Sequence, residues 1–263
     1  MINIRKIGGK SMKKIEIMGL PFDNVTLREA VSLSFEFINL GKQALAVTPN
    51  AEITELCLEK GEVKRAVLSA EIVLPDGEGV LWAAKKLGTP LKEKVAGVDF
   101  GFECARRAAE EGKSIFLLGG KEGVAEKASE KLISLFPGLK ITGTQSGYFS
   151  REGEENTTVI KRINESRADI LFVCLGAPAQ EIWAANNRTS LSAPKLIVCL
   201  GGSIDVYAGN AKRAPKAFIK MRAEWLWRII REPKRIIRAA ALPKFIISVY
   251  KYKRKIKKTR NIK

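Results

Sequence analysis

The 263-residue sequence contains no histidine. This absence excludes Ser-His-Asp and Cys-His nucleophile systems, HExxH zinc sites and histidine general bases. A carboxylate is therefore the best remaining candidate for proton transfer near neutral pH. The sequence also contains no Asp-x-Asp pair, so it lacks that means of holding a metal ion on a diphosphate.

Cysteines are few and isolated. The four, Cys57, Cys104, Cys174 and Cys199, form no CxxC motif. Cys174 and Cys199 lie within apolar runs, where a cysteine is most often a small buried hydrophobic residue. Nothing in the sequence indicates a disulfide framework, which agrees with a reducing cytosol.

Long hydrophobic runs are also missing. No segment approaches the ~18 uncharged apolar residues that a membrane-spanning helix needs. The first residues, MINIRKIGGKSMKK, contain no apolar stretch typical of a signal peptide. Met12 is an alternative start, because the first strand-like run begins at Lys14, and residues 1–12 are set aside for function. We therefore expect a cytoplasmic protein.

Positive charge is concentrated at one end of the chain. The net charge is +18, and residues 210–263 hold 19 Lys and Arg against two acids. The preceding residues hold 27 bases against 26 acids. This asymmetry predicts a boundary near Gly209, between a nearly neutral body over 12–209 and a basic C-terminal appendage that meets an anionic partner.

Large apolar residues recur in the appendage at spacings of three to four, as in WLWRIIREPKRIIRAAALPKFIISVYKYKRKIKK. A basic amphipathic helix with Trp, Phe and Ile on one face is typical of a segment that lies in a lipid interface. Each Lys or Arg near an anionic leaflet adds ~1 kcal/mol, so we expect reversible docking on an anionic membrane. Packing of the stripe on the body, or on a second subunit of a homo-oligomer, stays open. Nucleic acid is disfavoured, because no RNP-like, zinc-finger or helix-turn-helix pattern is present.

Apolar strand-like runs alternate with helical patterns through the body. IFLLG, ILFVCLG and LIVCLGG are apolar on both faces, which is typical of parallel strands covered by helices. We predict an α/β fold with a mostly parallel, Rossmann-like sheet, helices on both faces and an all-helical basic appendage, in which each proline begins or breaks a helix. Local signals predict a strand over 14–20, a helix opened by the capping box of Thr26 and Glu29, and a helix capped by Asp99.

Polar residues follow several of the predicted strands, and ligands of open parallel sheets bind beyond the carboxyl ends of the strands. Asp76 stands in a Pro-Asp-Gly turn, either as a plain turn residue or as a carboxylate able to take a proton from a hydroxyl. Asn50 is a good helix cap and could equally bind a sugar hydroxyl. Gln180 and Glu181 begin a helix, where a glutamate suits the dipole. Gly119-Gly120 opens another helix, either as a tight turn or as a place where backbone N–H groups face a phosphate.

A diphosphate that leaves without a metal ion needs cations from the protein or helix N-termini. Arginine offers bidentate contacts to phosphate. The appendage supplies several arginines, which alternatively contact only lipid head groups: Arg213, Arg228, Arg231, Arg235 and Arg238.

Eight stretches carry a wider resemblance. They are MGLPFDNVT (18–26), VTPNAEI (47–53), VLPDGEGV (73–80), VAGVDF (95–100), FLLGGKEGVAEKA (116–128), LGAPAQEIW (175–183), GGSIDVYAGNAKRAP (201–215) and EWLWRIIREPKRIIR (224–238). Together and in this order, they resemble the WecG/TagA/CpsF family of glycosyltransferases, on its wall-teichoic-acid branch. The resemblance covers nearly the whole chain from Met12.

The resemblance implies transfer of N-acetylmannosamine (ManNAc) from UDP-ManNAc to the N-acetylglucosamine (GlcNAc) of an undecaprenyl-diphosphate-linked acceptor. A β1,4 linkage with inversion at the anomeric carbon and no metal or other cofactor is expected. The enzyme is then peripheral on the inner face of the cell membrane and makes the linkage unit of wall teichoic acid. Another donor, UDP-ManNAc uronic acid or a UDP-hexose, is the alternative within the family. A basic nucleic-acid-binding protein with a Rossmann-like body is the alternative of a different class.

The resemblance also implies roles for individual residues of the body. Asp76 is the implied general base. Thr48 and Asn50 help to place the sugar, and Gln180 lies at the nucleotide-sugar site.

In the appendage, the resemblance implies that arginines close over the diphosphate, and Arg228, Arg235 and Arg238 match that pattern. Two positions depart from it. Lys94 stands where the family often has arginine, which keeps the charge of a substrate-binding residue but loses the bidentate fork. Arg222-Ala223 replaces a small apolar pair, which changes the local packing of the appendage.

Overall fold

The computed structural model describes residues 3–7, 10–211 and 241–260, and the single positions 215, 218, 221 and 227. The strands in these ranges are β1 Asn3–Ile7, β2 Lys10–Ile17, β3 Leu20–Asp23, β4 Ala44–Val47, β5 Ile72–Val73, β6 Ser114–Gly119, β7 Lys140–Gln145, β8 Ile170–Cys174 and β9 Leu196–Cys199. Six of them form one sheet of parallel strands in the order β5-β4-β9-β8-β6-β7. The predicted α/β class with a parallel sheet is confirmed.

Helices connect these strands. They are α1 Leu27–Asn39, α2 Ala51–Glu59, α3 Gly61–Leu68, α4 Glu78–Leu87, α5 Gly97–Glu110, α6 Val124–Leu135, α7 Gly153–Glu165, α8 Ala179–Asn187, α9 Ser203–Tyr207 and α10 Ala241–Arg260.

The central strands are buried on both faces, as their continuous apolar runs predict. In β4, Ala44 and Ala46 face the core cluster that includes α1, α5 and α6. Leu45 and Val47 face the opposite cluster, which includes α2, α3, α4, α8 and α10. The side chains alternate because successive residues of a strand point to opposite sides. The helices therefore cover both faces, as predicted.

The N-terminal part of the body differs from the prediction. Instead of one strand over 14–20, the chain reverses at Met18 and Gly19, whose φ angles are 54° and 82°. Strand β3 consequently pairs antiparallel with β2. Strand β1 also pairs antiparallel with β2, which completes a separate three-stranded sheet. The apolar residues on both sides of this turn still enter the core, which is why the run resembles a single buried strand in the sequence.

The capping signals at Thr26 and at Asp99 had different outcomes. Thr26 and Glu29 form the full capping box at the start of α1. The prediction that Asp99 caps a helix is wrong, because α5 already begins at Gly97 with Ala96 as its N-cap. A Cβ at Gly97 would lie 3.0 Å from Thr48 Oγ1, so a glycine there lets the helix start close to β4. Asp99 instead lies in the first turn, where a carboxylate suits the helix dipole.

Helix α10 packs on the body, with Pro243 in its first turn. Its Phe245 and Val249 are fully buried in the cluster that holds α2 and α4. Ser248 donates a hydrogen bond of 2.8 Å to the buried Glu55 of α2. Helix α10 therefore packs against α2 and α4 and stabilises their position. Among the described helices, none combines the length and the apolar character that crossing a membrane requires.

Candidate active site

The turns after β4 and β5 meet at the carboxyl edge of the sheet. The backbone N–H of Asp76 donates to the carbonyl of Pro49 at 3.2 Å. Gly77, with φ of +88°, brings the turn so close that a Cβ there would lie 3.9 Å from Cβ of Asn50. Asp76 and Asn50 are both half-buried. The structure thus places the predicted base beside one of the predicted sugar-placing residues.

Lys94 lies in the segment before α5, close to the turn that holds Asp76. The backbone N–H of Val95 donates to the carbonyl of Pro75 at 2.9 Å, which ties the residue after Lys94 to the residue before Asp76. Lys94 is half-buried. A cation and a carboxylate therefore lie on adjoining backbone segments at this edge.

Thr48 and Asn50 both make hydrogen bonds within the protein. Thr48 is buried, and its hydroxyl donates to the carbonyl of Cys199 in β9 at 3.3 Å. Asn50 Oδ1 accepts from the N–H of Ile53 at 3.0 Å and so caps α2. The capping bond leaves the amide NH₂ of Asn50 as the group that can turn toward a ligand. Thr48 instead holds β4, β9 and α5 together.

Gln180 is also engaged within the protein. Its side chain is only 2% exposed. Oε1 accepts from the N–H of Gly201 at 2.7 Å, and Nε2 donates to Glu181 Oε1 at 2.8 Å. Gln180 thus joins the start of α8 to the turn after β9, next to the strand whose carbonyl holds Thr48.

Glu181 lies in the first turn of α8, as predicted, and its side chain is buried. The sequence did not predict this burial. Burial raises the pKa of Glu181 from 4.5 to about 7, the Gln180 hydrogen bond opposes this, and the charge of Glu52 adds to it. Burial raises the pKa of the neighbouring thiols of Cys57 and Cys199, and the charge of Glu181 raises it further. A glutamate directly after glutamine in a Pro-x-Gln-Glu segment is the only sequence signal for this arrangement.

We expect Glu181→Gln to change the pH dependence of folding stability. The pKa of Glu181 is higher in the folded protein, so its stabilising contribution is full below about pH 4.5 and is lost as pH rises through about 7. The shift corresponds to about 3 kcal/mol. Between pH 4 and pH 8, the free energy of unfolding of the wild type should fall by about this much relative to the variant, measured by urea denaturation. Parallel stability curves for the two proteins would contradict the burial of a titrating carboxyl.

The Gly119-Gly120 turn lies at the other side of the same edge. Both glycines have positive φ, and a Cβ at Gly119 would lie 2.3 Å from the carbonyl oxygen of Cys174. The N–H of Gly147 donates to the carbonyl of Gly120 at 2.8 Å. The glycines thus permit close packing of the turn on β8 and on the segment after β7.

Three residues at this edge were not predicted as candidate site residues. Tyr148, directly after Gly147, is 75% exposed, which is unusual for a large aromatic side chain and leaves its ring accessible for stacking. Asp99 and Asp205 are half-buried carboxylates in the first turns of α5 and α9. The Ser-Gly-Tyr-Phe sequence after a strand and the aspartates of the VAGVD and GGSID stretches were the available signals.

The three predicted diphosphate-binding arginines, Arg228, Arg235 and Arg238, lie outside the described residues. Within the described ranges, no three His, Cys, Asp or Glu side chains converge in an arrangement that could hold a metal ion. The described residues define an α/β protein built on a parallel sheet. Its candidate site lies where β4, β5, β8 and β9 end, with one carboxylate in the turn after β5.

Comparison with known proteins identifies the family. The model of the glycosyl transferase WecG/TagA/CpsF family matches residues 15–259, and the chain belongs to this family. An N-acetylglucosaminyldiphosphoundecaprenol N-acetyl-beta-D-mannosaminyltransferase of Bacillus spizizenii is 34% identical over 244 residues, covering 92% of this chain and 93% of the relative. A protein of the same name from Staphylococcus aureus (strain MRSA252) is 34% identical over 249 residues, covering 94% and 96%. The resemblance drawn from the eight stretches is confirmed.

Proposed function

We propose that this enzyme transfers N-acetylmannosamine from UDP-ManNAc to a GlcNAc-diphospho-undecaprenol acceptor. The names of its relatives support the transferred sugar and the acceptor, and the donor UDP-ManNAc is what the family resemblance implies. The observation that carries the proposal is the placement of Asp76 beside Asn50 at the carboxyl edge, in a chain that matches these relatives over more than nine-tenths of its length. The same reaction class accounts for a histidine-free site, because a single displacement needs one base and a stabilised leaving group.

Asp76 acts as the general base in this proposal. Its carboxylate takes the proton of the GlcNAc 4-hydroxyl as the hydroxyl oxygen attacks the anomeric carbon of ManNAc. The bond between that carbon and the diphosphate oxygen breaks, and its electron pair leaves with UDP. Attack opposite to the leaving group inverts the anomeric configuration. The half-buried position of Asp76 suits this role, because the carboxylate is held in place while an acceptor can still reach it.

The leaving diphosphate is stabilised by positive groups of the protein. Helices α2, α4, α5, α8 and α9 all begin at the edge where the candidate site lies, and helix N-termini carry partial positive charge. Lys94 adds a full charge beside the Asp76 turn. Arg228, Arg235 and Arg238 of the appendage complete the proposal as bidentate phosphate ligands.

Membrane contact follows from the nature of the acceptor. A polyprenyl diphosphate keeps its chain in the bilayer, so the site must approach the lipid surface. The basic appendage supports such an approach, and α10 exposes several bases away from its buried Phe245 and Val249: Lys251, Arg254, Lys255, Lys257 and Lys258. We place the protein peripherally on the inner face of the cell membrane.

A donor panel tests the proposed reaction. The wild type is incubated with a soluble GlcNAc-diphosphate-lipid analogue and with UDP-ManNAc, UDP-GlcNAc or UDP-glucose, and UDP release is followed. We expect acceptor-dependent release with UDP-ManNAc far above the other two. Preference for a different UDP-sugar would show that the enzyme uses another donor. Tight RNA binding without any UDP release would contradict the proposal that the protein is a glycosyltransferase.

We expect a chelator to leave the reaction unchanged. The sequence has no Asp-x-Asp pair and no histidine. Cationic side chains are therefore proposed to stabilise the leaving diphosphate, as a divalent ion does in metal-dependent glycosyltransferases. The initial rate with UDP-ManNAc should be the same with and without EDTA. A loss of activity that Mg²⁺ or Mn²⁺ restores would require a metal ion in the mechanism.

A further inference from the structure

A buried chain of hydrogen bonds runs from α8 to the turn after β9. Glu181 accepts from Gln180 Nε2 at 2.8 Å, and Gln180 Oε1 accepts from the N–H of Gly201 at 2.7 Å. The two side chains are 1% and 2% exposed. Because solvent does not reach them, Gln180 Oε1, Gln180 Nε2 and Glu181 Oε1 depend on these bonds inside the protein. Glu181 Oε2 is buried without a hydrogen-bond partner among the described residues.

The direction of this chain is fixed by chemistry. A backbone N–H can only donate, so the amide oxygen of Gln180 has to face Gly201. The amide nitrogen then faces α8 and needs an acceptor, which Glu181 supplies. An apolar residue at position 181 would leave a buried donor without a hydrogen-bond partner, which destabilises the arrangement. Glu181 thereby determines whether Gln180 can keep its orientation.

The turn held by this chain borders the candidate site. Gly201 follows β9 with φ of +57° and is half-buried. The last residue of β9, Cys199, accepts from the hydroxyl of Thr48 through its carbonyl, and its thiol donates to the carbonyl of Gln180 at 3.7 Å. A shift of Gly201 is therefore expected to reach the backbone on which Thr48 and Asn50 stand.

We propose that Glu181 is a positioning residue for donor binding: through Gln180 it holds the N–H of Gly201 and thereby the shape of the turn after β9. Glu181 touches no ligand in this proposal and acts only through Gln180. The identity of the sugar donor rests on the proposed function, whereas the hydrogen bonds among Glu181, Gln180 and Gly201 are independent of it. Since burial leaves Glu181 largely uncharged below about pH 7, glutamine is a close mimic of its protonated form.

An exchange of the two side chains tests the proposal. Q180E alone sets two carboxyls against each other, so we expect faster hydrogen exchange in the peptide covering 199–207 and a donor KM raised at least about tenfold. Adding E181Q restores both hydrogen bonds with the donor now at position 181 and the acceptor at position 180. The introduced carboxyl accepts from the N–H of Gly201 and from the introduced amide. The double variant Q180E/E181Q should return both readouts to within about threefold of the wild type. A folded double variant that stays as impaired as Q180E would overturn the proposal.

A second pair of variants keeps the test decisive if Q180E does not fold. E181Q retains an acceptor for Gln180, whereas E181M has a similar length and none. We expect a raised donor KM and faster exchange at 199–207 in E181M only, and equal values in both variants would overturn the proposal.

The same measurements distinguish failure of this proposal from failure of the proposed function. Slow exchange in a wild type that does not turn over UDP-ManNAc would contradict the proposed function alone. An active wild type whose exchange and KM are unaltered in Q180E and E181M would contradict the role of Glu181 alone.

Discussion

Asp76→Asn should reduce kcat by about 10²–10⁴-fold, the usual contribution of a general base. The amide keeps the size of the side chain but cannot accept the proton of the attacking hydroxyl. UDP binding should survive, because the turn is held by the backbone bond from Asp76 to Pro49 and by the fit of Gly77 against Asn50. Single-turnover rates with UDP-ManNAc and calorimetric binding of UDP measure the two quantities separately.

Glu62→Gln is the matched control for this variant. Glu62 is an exposed carboxylate on α3, so the same change of carboxyl to amide should leave turnover and UDP binding unchanged. Near-normal turnover of Asp76→Asn would remove Asp76 from the mechanism. Joint loss of turnover and UDP binding would indicate instead that Asp76 holds the shape of the site.

The triple replacement of Arg228, Arg235 and Arg238 by alanine should lower kcat by about 10²-fold or more, the effect expected when donors to a developing negative charge are removed. The loss should appear with a short soluble GlcNAc-diphosphate acceptor, where membrane docking plays no part. This choice separates a role at the diphosphate from a role at the lipid surface. Initial rates at saturating donor give the result directly.

The chain offers a control of equal charge. Arg254, Lys257 and Lys258 are exposed on α10, and replacing these three by alanine removes the same number of positive charges. We expect that control to keep full activity on the soluble acceptor and to weaken binding to anionic vesicles. Equal losses in the two triple variants would contradict a specific role of the predicted arginines.

A cut after Gly209 is a less selective experiment than either triple variant. We predict that it leaves a folded body with little activity. It also removes Phe245 and Val249 from the core, and burial of one such side chain is worth roughly 1.5–3 kcal/mol. We therefore expect the truncated body to melt at a lower temperature, and the loss of activity must be measured below that temperature. Full activity of the truncated body on the lipid acceptor would refute a role of the appendage in catalysis.

The main architecture could be predicted because hydrophobic periodicity reports directly on burial. Continuous apolar strands such as β6 and β8 require cover on both sides, and the sheet has it. The hairpin of β2 and β3 could not be predicted in this way. It depends on a left-handed backbone at Met18, a residue type that gives no turn signal, followed by Gly19. The start of α5 depends on the contact between Gly97 and Thr48, which sequence order does not reveal.

The candidate site could be predicted where it depends on strand ends. Asp76 and Asn50 follow neighbouring parallel strands, so their proximity follows from topology. The internal hydrogen bonds of Thr48 and Gln180 depend on β9, more than a hundred residues after Thr48, and were beyond sequence reasoning. Glu181 was hidden for a similar reason, since a glutamate at a helix start is ordinarily solvated.

The most direct test of the whole account is a structure of the Asp76→Asn protein with bound UDP-ManNAc. We predict that the diphosphate lies against helix N-termini at the ends of β4, β5, β8 and β9. The anomeric carbon should face residue 76 across a gap that admits one acceptor hydroxyl. A sugar nucleotide bound elsewhere, or with its anomeric carbon turned away from residue 76, would contradict the assignment of Asp76 as the base.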